Sequence, residues 1–220
     1  MLGIFSSYEN TMYKLPGVDV DKDKLYKIAK KYNIPFQIIW GNQVTLDTVI
    51  SALVRHHYNL LWFCGHGKID GDGNSAYILP DSRSFLVPPE LCLRSVALEF
   101  CLASHSSELV ICVFDFCHAG NMLCLEYTYF GGDFKKTESS IHKPDKIRIA
   151  ICASSLAGTT PENEAGGFLT QYLIYLLEKY HHLSLALIDG ERETYNKNNF
   201  IIKTNAVFDD KVKFIKLNEL

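Results

Sequence analysis

Four stretches of the chain, PFQIIW (35–40), NLLWFCG (59–65), LVICVFDF (109–116) and IRIAICAS (147–154), are apolar without period-two alternation and rich in Ile, Val, Phe and Trp. Strands covered on both faces carry that pattern. Between them the period lengthens: Leu25, Ile28, Ala29 and Tyr32 share one helical face, and so do Leu46, Val49, Ile50 and Leu53. A further helix is predicted from Pro88 and Pro89, which suit a first turn, through Leu98, and another over about 167–180. The tail predicts one or two closing strands about a turn near Asp209 and Asp210. Such alternation implies an α/β fold, a mostly parallel central sheet with helices on both faces, and the length suits one domain over 1–220.

Three turn-rich or polar loops interrupt the pattern: GHGKIDGDGNSAYILPDSRS (65–84), LEYTYFGGDFKKTESSIHKPDK (125–146) and SSLAGTTPENEAGG (154–167). Loops of that length in a compact α/β domain usually carry function. Charge narrows the function: the net charge is −3 and no segment interleaves clustered Lys or Arg with aromatics, which argues against nucleic acid as a partner. No apolar run approaches a membrane span, and the start has no basic-then-apolar leader. The 7 cysteines are odd in number and lack disulfide-framework spacing, so reduced thiols in a cytoplasmic setting are expected.

In open parallel sheets, ligands bind where loops leave the carboxyl ends of strands. His66 follows one predicted strand and Cys117 another, so the two can meet at one sheet edge. A cysteine nucleophile needs an imidazole to take its proton and deliver it to the leaving amine. Gly65 and Gly67 flank the histidine, and the amides of Gly67 and Cys117 are candidate oxyanion donors. Beside Cys117, His118 is expected to serve structure. A zinc site from Cys64, His66, Cys117 and His118 lacks paired C-x-x-C spacing, and Cys64, Cys112 and Cys152 read as core.

FCGHG (63–67), DFCHAG (115–120) and ASSLAGTTPENEAGGFLTQYL (153–173) resemble, in that order, the histidine motif, cysteine motif and following segment of metacaspases, and equally of bacterial orthocaspases. The separation of 51 between His66 and Cys117 agrees with the ~50 of caspases. The resemblance implies a caspase-like three-layer sandwich and a cysteine endopeptidase acting on protein or peptide substrates. It implies Cys117 as nucleophile, His66 as base and acid, and Asp115 in a pocket selecting Arg or Lys. An acid there also suits a guanidinium fork on chemical grounds. Where the family carries further acids this chain has Leu156 and Ala157, leaving Glu162 as the second pocket candidate.

Calcium is left open, with no cofactor required. The family's acidic pair before the next helix falls at Pro88 and Pro89, whereas Asp70, Asp72, Asn74 and Asp81 follow part of a calcium-loop spacing; Asp70, Asp72 and Asp81 are the candidate metal ligands. The stretch 125–146 matches a linker processed in the family, with Lys135, Lys136, Lys143 and Lys146 as candidate self-cleavage positions. A monomer is expected, and no prodomain, since the first strand pattern starts close to Met1. The alternatives are a catalytically inactive pseudoprotease serving as a binding module, and a peptidase of the legumain or separase kind.

Overall fold

The computed structural model describes residues 1–9, 11–80, 91–137, 146–160, 162–192, 200–212 and 214–216, with Glu162 described by its backbone alone. The first half of the chain forms β1 (Leu2–Phe5), α1 (Pro16–Lys31), β2 (Gln37–Trp40), α2 (Leu46–Arg55) and β3 (Leu60–Cys64). Three short strands follow, β4 (Gly67–Ile69), β5 (Ser75–Ile78) and β6 (Cys92–Arg94), then α3 (Ser95–Ala103) and β7 (Leu109–Asp115). Next come β8 (Tyr127–Phe130), β9 (Asp133–Lys136), β10 (Ile147–Cys152), β11 (Glu162–Asn163) and β12 (Gly166–Gly167). The remainder comprises α4 (Phe168–Tyr180), β13 (His182–Leu183), α5 (Leu185–Gly190), β14 (Ile201–Thr204) and β15 (Ile215–Lys216).

The main sheet has the order β2-β1-β3-β7-β10-β14-β8-β9. Its first five strands are parallel, and β14, β8 and β9 are each antiparallel to the strand before them in that order. Successive side chains of β3 and β7 enter opposite cores, as the pleat requires. Trp62, Cys64 and Val113 pack in one cluster with Val18, Leu25 and Ile28 of α1 and Leu169, Leu173 and Leu177 of α4. Leu61, Phe63, Cys112 and Phe114 pack in the other with Val49 and Leu53 of α2 and Leu98 and Leu102 of α3. This is the expected sandwich of sheet between helical layers. Among the described residues no helix is long and apolar enough to cross a membrane.

Three sequence expectations change. The strand at 37–40 lies at the sheet edge, with Gln37 and Trp40 exposed, and is not covered on both faces. α3 starts at Ser95, because Cys92–Arg94 is held extended by pairing with β5; Pro88 and Pro89 lie outside the described residues. The polar stretch after Leu125 is a hairpin for much of its length: β8 and β9 turn at Gly131 (φ 61°) and Gly132 (φ 87°), the left-handed pair that a tight two-residue turn demands. The tail forms two strands about a turn at Asp209 and Asp210, as expected: β14 joins the main sheet and β15 pairs with β13.

Candidate active site

Cys64 and Asp115 are register partners at the carboxyl ends of the parallel strands β3 and β7. His66 and Cys117 each lie two residues further on, so both leave the sheet at the same level. The Gly65 amide still reaches the Asp115 carbonyl at 3.4 Å, which keeps the two chains adjacent past the strand ends. Closer still, a Cβ on Gly67 would stand 2.1 Å from the Cys117 carbonyl oxygen and 2.3 Å from the Phe116 ring. Only glycine lets the two loops approach this way.

His66 is held on three sides. Its Nε2 lies 2.9 Å from the Tyr13 carbonyl oxygen, which only accepts, so Nε2 carries the proton and Nδ1 of the neutral ring is left as the acceptor. The Tyr8 ring packs on the imidazole with centroids 4.6 Å apart. The Tyr8 hydroxyl accepts from the His66 amide at 2.9 Å and donates to the Ile78 carbonyl at 2.6 Å, bridging two positions between which the Ile78 amide returns to the His66 carbonyl. Because His66 and Ile78 form the bonded pair, the alternation of an antiparallel ladder turns the Gly67 amide away from β5. Burial lowers the His66 pKa from its ordinary value, opposed by the bond to Tyr13. The ring is therefore neutral at neutral pH, the state a base requires.

The cysteine loop is fixed by the strip that follows β10. His118 adopts a left-handed conformation (φ 60°), its amide donates to the Gly158 carbonyl at 2.9 Å, and its Nδ1 donates to the Leu156 carbonyl at 2.8 Å. The structural role expected for His118 is thus visible. Ser154 Oγ adds contacts of 3.3 Å to the Phe116 carbonyl and the Ala119 amide. Half-buried Cys117 has its sulfur 3.4 Å from the Thr160 amide, which donates to it, and 3.8 Å from the Thr160 carbonyl.

Behind the cysteine the side chains turn acidic. Asp115 is 5% exposed, and its Oδ2 accepts from the Thr170 amide at 2.7 Å, capping the first turn of α4. Burial raises its pKa, against hydrogen bonds from Thr170 and Leu169. A second carboxylate, which the sequence reading missed, comes from α1: Asp21 is 0% exposed and accepts from the Gly167 amide at 2.7 Å. Its signal was available, since Asp21 stands on the apolar stripe that carries Val18, Leu25 and Ile28. Asp21, Cys64 and Asp115 offer ligand atoms within 4.8 Å of one another. Among the described residues this is the only such trio, so Cys64 joins the acids and not a cluster of His66, Cys117 and His118. Glu162, expected as the second acid, contributes a backbone pairing with Gly167.

A family model described as the caspase domain matches residues 4–197. The chain belongs to the caspase-domain peptidase family. The fold agrees. A protein of Geobacter sulfurreducens, GSU0716, superposes with a TM-score of 0.67 at 14% identity, covering 98% of this chain and 95% of that one. Caspase-1 from Spodoptera frugiperda superposes with a TM-score of 0.56 at 11% identity, over 98% and 90% of the two chains. Among curated proteins no sequence matches.

Other candidate residues of this caspase domain have partners of their own. Asp70 accepts from the Asp72 and Asn74 amides at 3.0 and 2.9 Å and pairs with Arg94 Nε at 3.0 Å; Asp72 also pairs with Arg94. Among the described residues the Arg94 guanidinium thus answers both carboxylates. Asp81 lies outside the described residues. Lys135 and Lys136 are on the paired strand β9, Lys136 facing Glu126, and Lys146 donates to the His105 carbonyl at 2.8 Å. Lys143 lies outside the described residues.

Proposed function

We propose that the chain is a cysteine endopeptidase of the metacaspase or orthocaspase type that cleaves after Arg or Lys. The observation that carries this reading is the buried pair Asp21 and Asp115 at the foot of the loop bearing Cys117. Two carboxylates in a dry site favour a cation strongly, and a guanidinium or ammonium side chain supplies one.

In this mechanism His66 Nδ1 takes the Cys117 proton and the thiolate attacks the scissile carbonyl. The Gly67 and Cys117 amides receive the developing oxyanion, for which the outward turn of Gly67 is suited. The imidazolium then protonates the leaving amine, and water activated by His66 hydrolyses the thioester. No step uses a metal or cofactor. The reading includes a cytoplasmic, reducing setting, in keeping with 7 free thiols. It includes a monomer: the sheet ends on β9, whose exposed Lys135 and Lys136 discourage pairing with a second edge. Self-processing within 125–146 also belongs to it; Lys135, Lys136 and Lys146 are tied into structure, so a cut after any of them requires local opening first.

Fluorogenic peptides ending in Arg, Lys, Asp or Asn, assayed with wild type and Cys117→Ala, in calcium and in chelator, test the proposal. Cysteine-dependent cleavage after Arg or Lys in chelator is expected; preference for Asn or another context would support the legumain or separase reading. One contact favours a second reading, a binding module: the Thr160 main chain rests on the Cys117 sulfur. Failure of a peptide electrophile to label Cys117, with no turnover of any peptide, would establish it.

A further inference from the structure

The trio beneath the loop bearing Cys117 has a composition that a pocket for a basic side chain does not need. Asp21, Cys64 and Asp115 converge within 4.8 Å, all buried, and one of the three donors is a thiol. Asp115 Oδ1 is buried and has no hydrogen-bond partner among the described residues. The influences on its carboxyl are burial and the Thr170 and Leu169 donors, with no ammonium or guanidinium among them. A site with two buried carboxylates and an unanswered oxygen favours a cation. The thiol decides which: calcium takes six to eight oxygens, whereas sulfur with a few oxygens suits zinc and its soft congeners.

The geometry points to a zinc-class site in which Asp21, Cys64 and Asp115 hold one divalent ion, with water as the fourth ligand. Zinc bonds of about 2.0–2.3 Å set neighbouring donors roughly 3.5 Å apart, so the trio needs only a small contraction. Binding converts the Cys64 thiol to thiolate and releases its proton to solvent, so affinity rises with pH. The ion and a substrate's basic side chain would claim the same carboxylates; this inhibitory consequence rests on the pocket reading above, while the metal site itself stands on the trio alone.

The test uses the full chain carrying Cys117→Ala, which removes the accessible nucleophile as a competing ligand. Cadmium chloride is titrated while the thiolate-to-cadmium charge-transfer band is followed, and zinc chloride is titrated by calorimetry. One equivalent of each is expected to bind, with affinity falling at least tenfold on adding Cys64→Ser and again on adding Asp115→Asn, each variant first checked for a metal-free melting transition. Agmatine, a small guanidinium, then competes in the Cys117→Ala protein itself, which needs no pocket substitution. Displacement of the metal supports both readings. Metal binding that agmatine cannot displace keeps the site and sinks the Arg pocket. Cleavage after Arg by wild type, with no single-site metal binding or with binding indifferent to Cys64→Ser, overturns the metal site and leaves the pocket standing.

Discussion

His66 donates through Nε2 to the carbonyl oxygen of Tyr13 at 2.9 Å. A main-chain carbonyl cannot be lost by substitution and cannot itself take a proton at neutral pH. It therefore fixes ring orientation and tautomer without creating a second titrating partner for the imidazole.

The first expectation follows from that contact. His66→Ala should lower kcat by about 10²–10⁴-fold, the usual worth of a positioned acid–base group, and Cys117→Ala should reduce turnover to background. Because burial lowers the His66 pKa from 6.5, the acid limb of the kcat/KM profile should fall below pH 6.5. A limb well above that value would assign the titration to another group.

For the pocket, Asp21→Asn should lower kcat/KM on Arg peptides about 10–100-fold, since a hydrogen bond to a charged group is worth about 1.5–3 kcal/mol. Asn can still accept from the Gly167 amide. The reading is checked against citrulline, a neutral isostere of Arg: the variant should lose most of the preference for Arg over citrulline. A preserved ratio would exclude Asp21 from recognition.

Gly67→Ala places a methyl 2.1 Å from the Cys117 carbonyl and 2.3 Å from the Phe116 ring. Backbone must shift, so both activity and stability should fall, the latter by about 1–3 kcal/mol as for an overpacked core site. The melting temperature measured beside turnover separates loss of fold from loss of the oxyanion donor.

Stability should decline on acidification. His105 is 1% exposed, accepts from the Tyr58 amide through Nε2 at 3.0 Å, and has its pKa lowered to about 4, chiefly by burial. Between pH 6.5 and 4 the unfolded chain binds a proton at this position that the folded chain refuses, so unfolding becomes easier as pH falls. The loss is of the order of 1–3 kcal/mol, with His66 acting in the same direction and Asp115, whose pKa is raised, acting against both. Urea midpoints across that range should drop for wild type and drop less for His105→Gln.

The three inner strands were legible because burial on both faces leaves an uninterrupted apolar run, and Leu60–Cys64 is buried throughout. Their ends gave His66 and Cys117 directly. The hairpin at 127–136 was hidden by its polar residues, although Tyr-Thr-Tyr-Phe followed by Gly-Gly is a hairpin signal in itself. Asp21 escaped because a cluster assembled from separate elements has no spacing rule; an acid on an otherwise apolar helical stripe was its only trace. Cys64 was rightly read as buried, but the sequence cannot show that its neighbours are carboxylates.

The order of the main sheet bears on what a cut between 138 and 145 would produce. β10 and β14 lie downstream of such a cut, while β7, β8 and β9 lie upstream, and in the sheet the downstream pair is inserted between β7 and β8. The upstream fragment would thus flank the downstream pair on both sides, β7 against β10 and β8 against β14, and His118 would still bond to Leu156 and Gly158 across the division. A nicked molecule is thus expected to travel as one particle and to come apart into two polypeptides only when denatured, its integrity resting on strand pairing and not on the continuity of the chain.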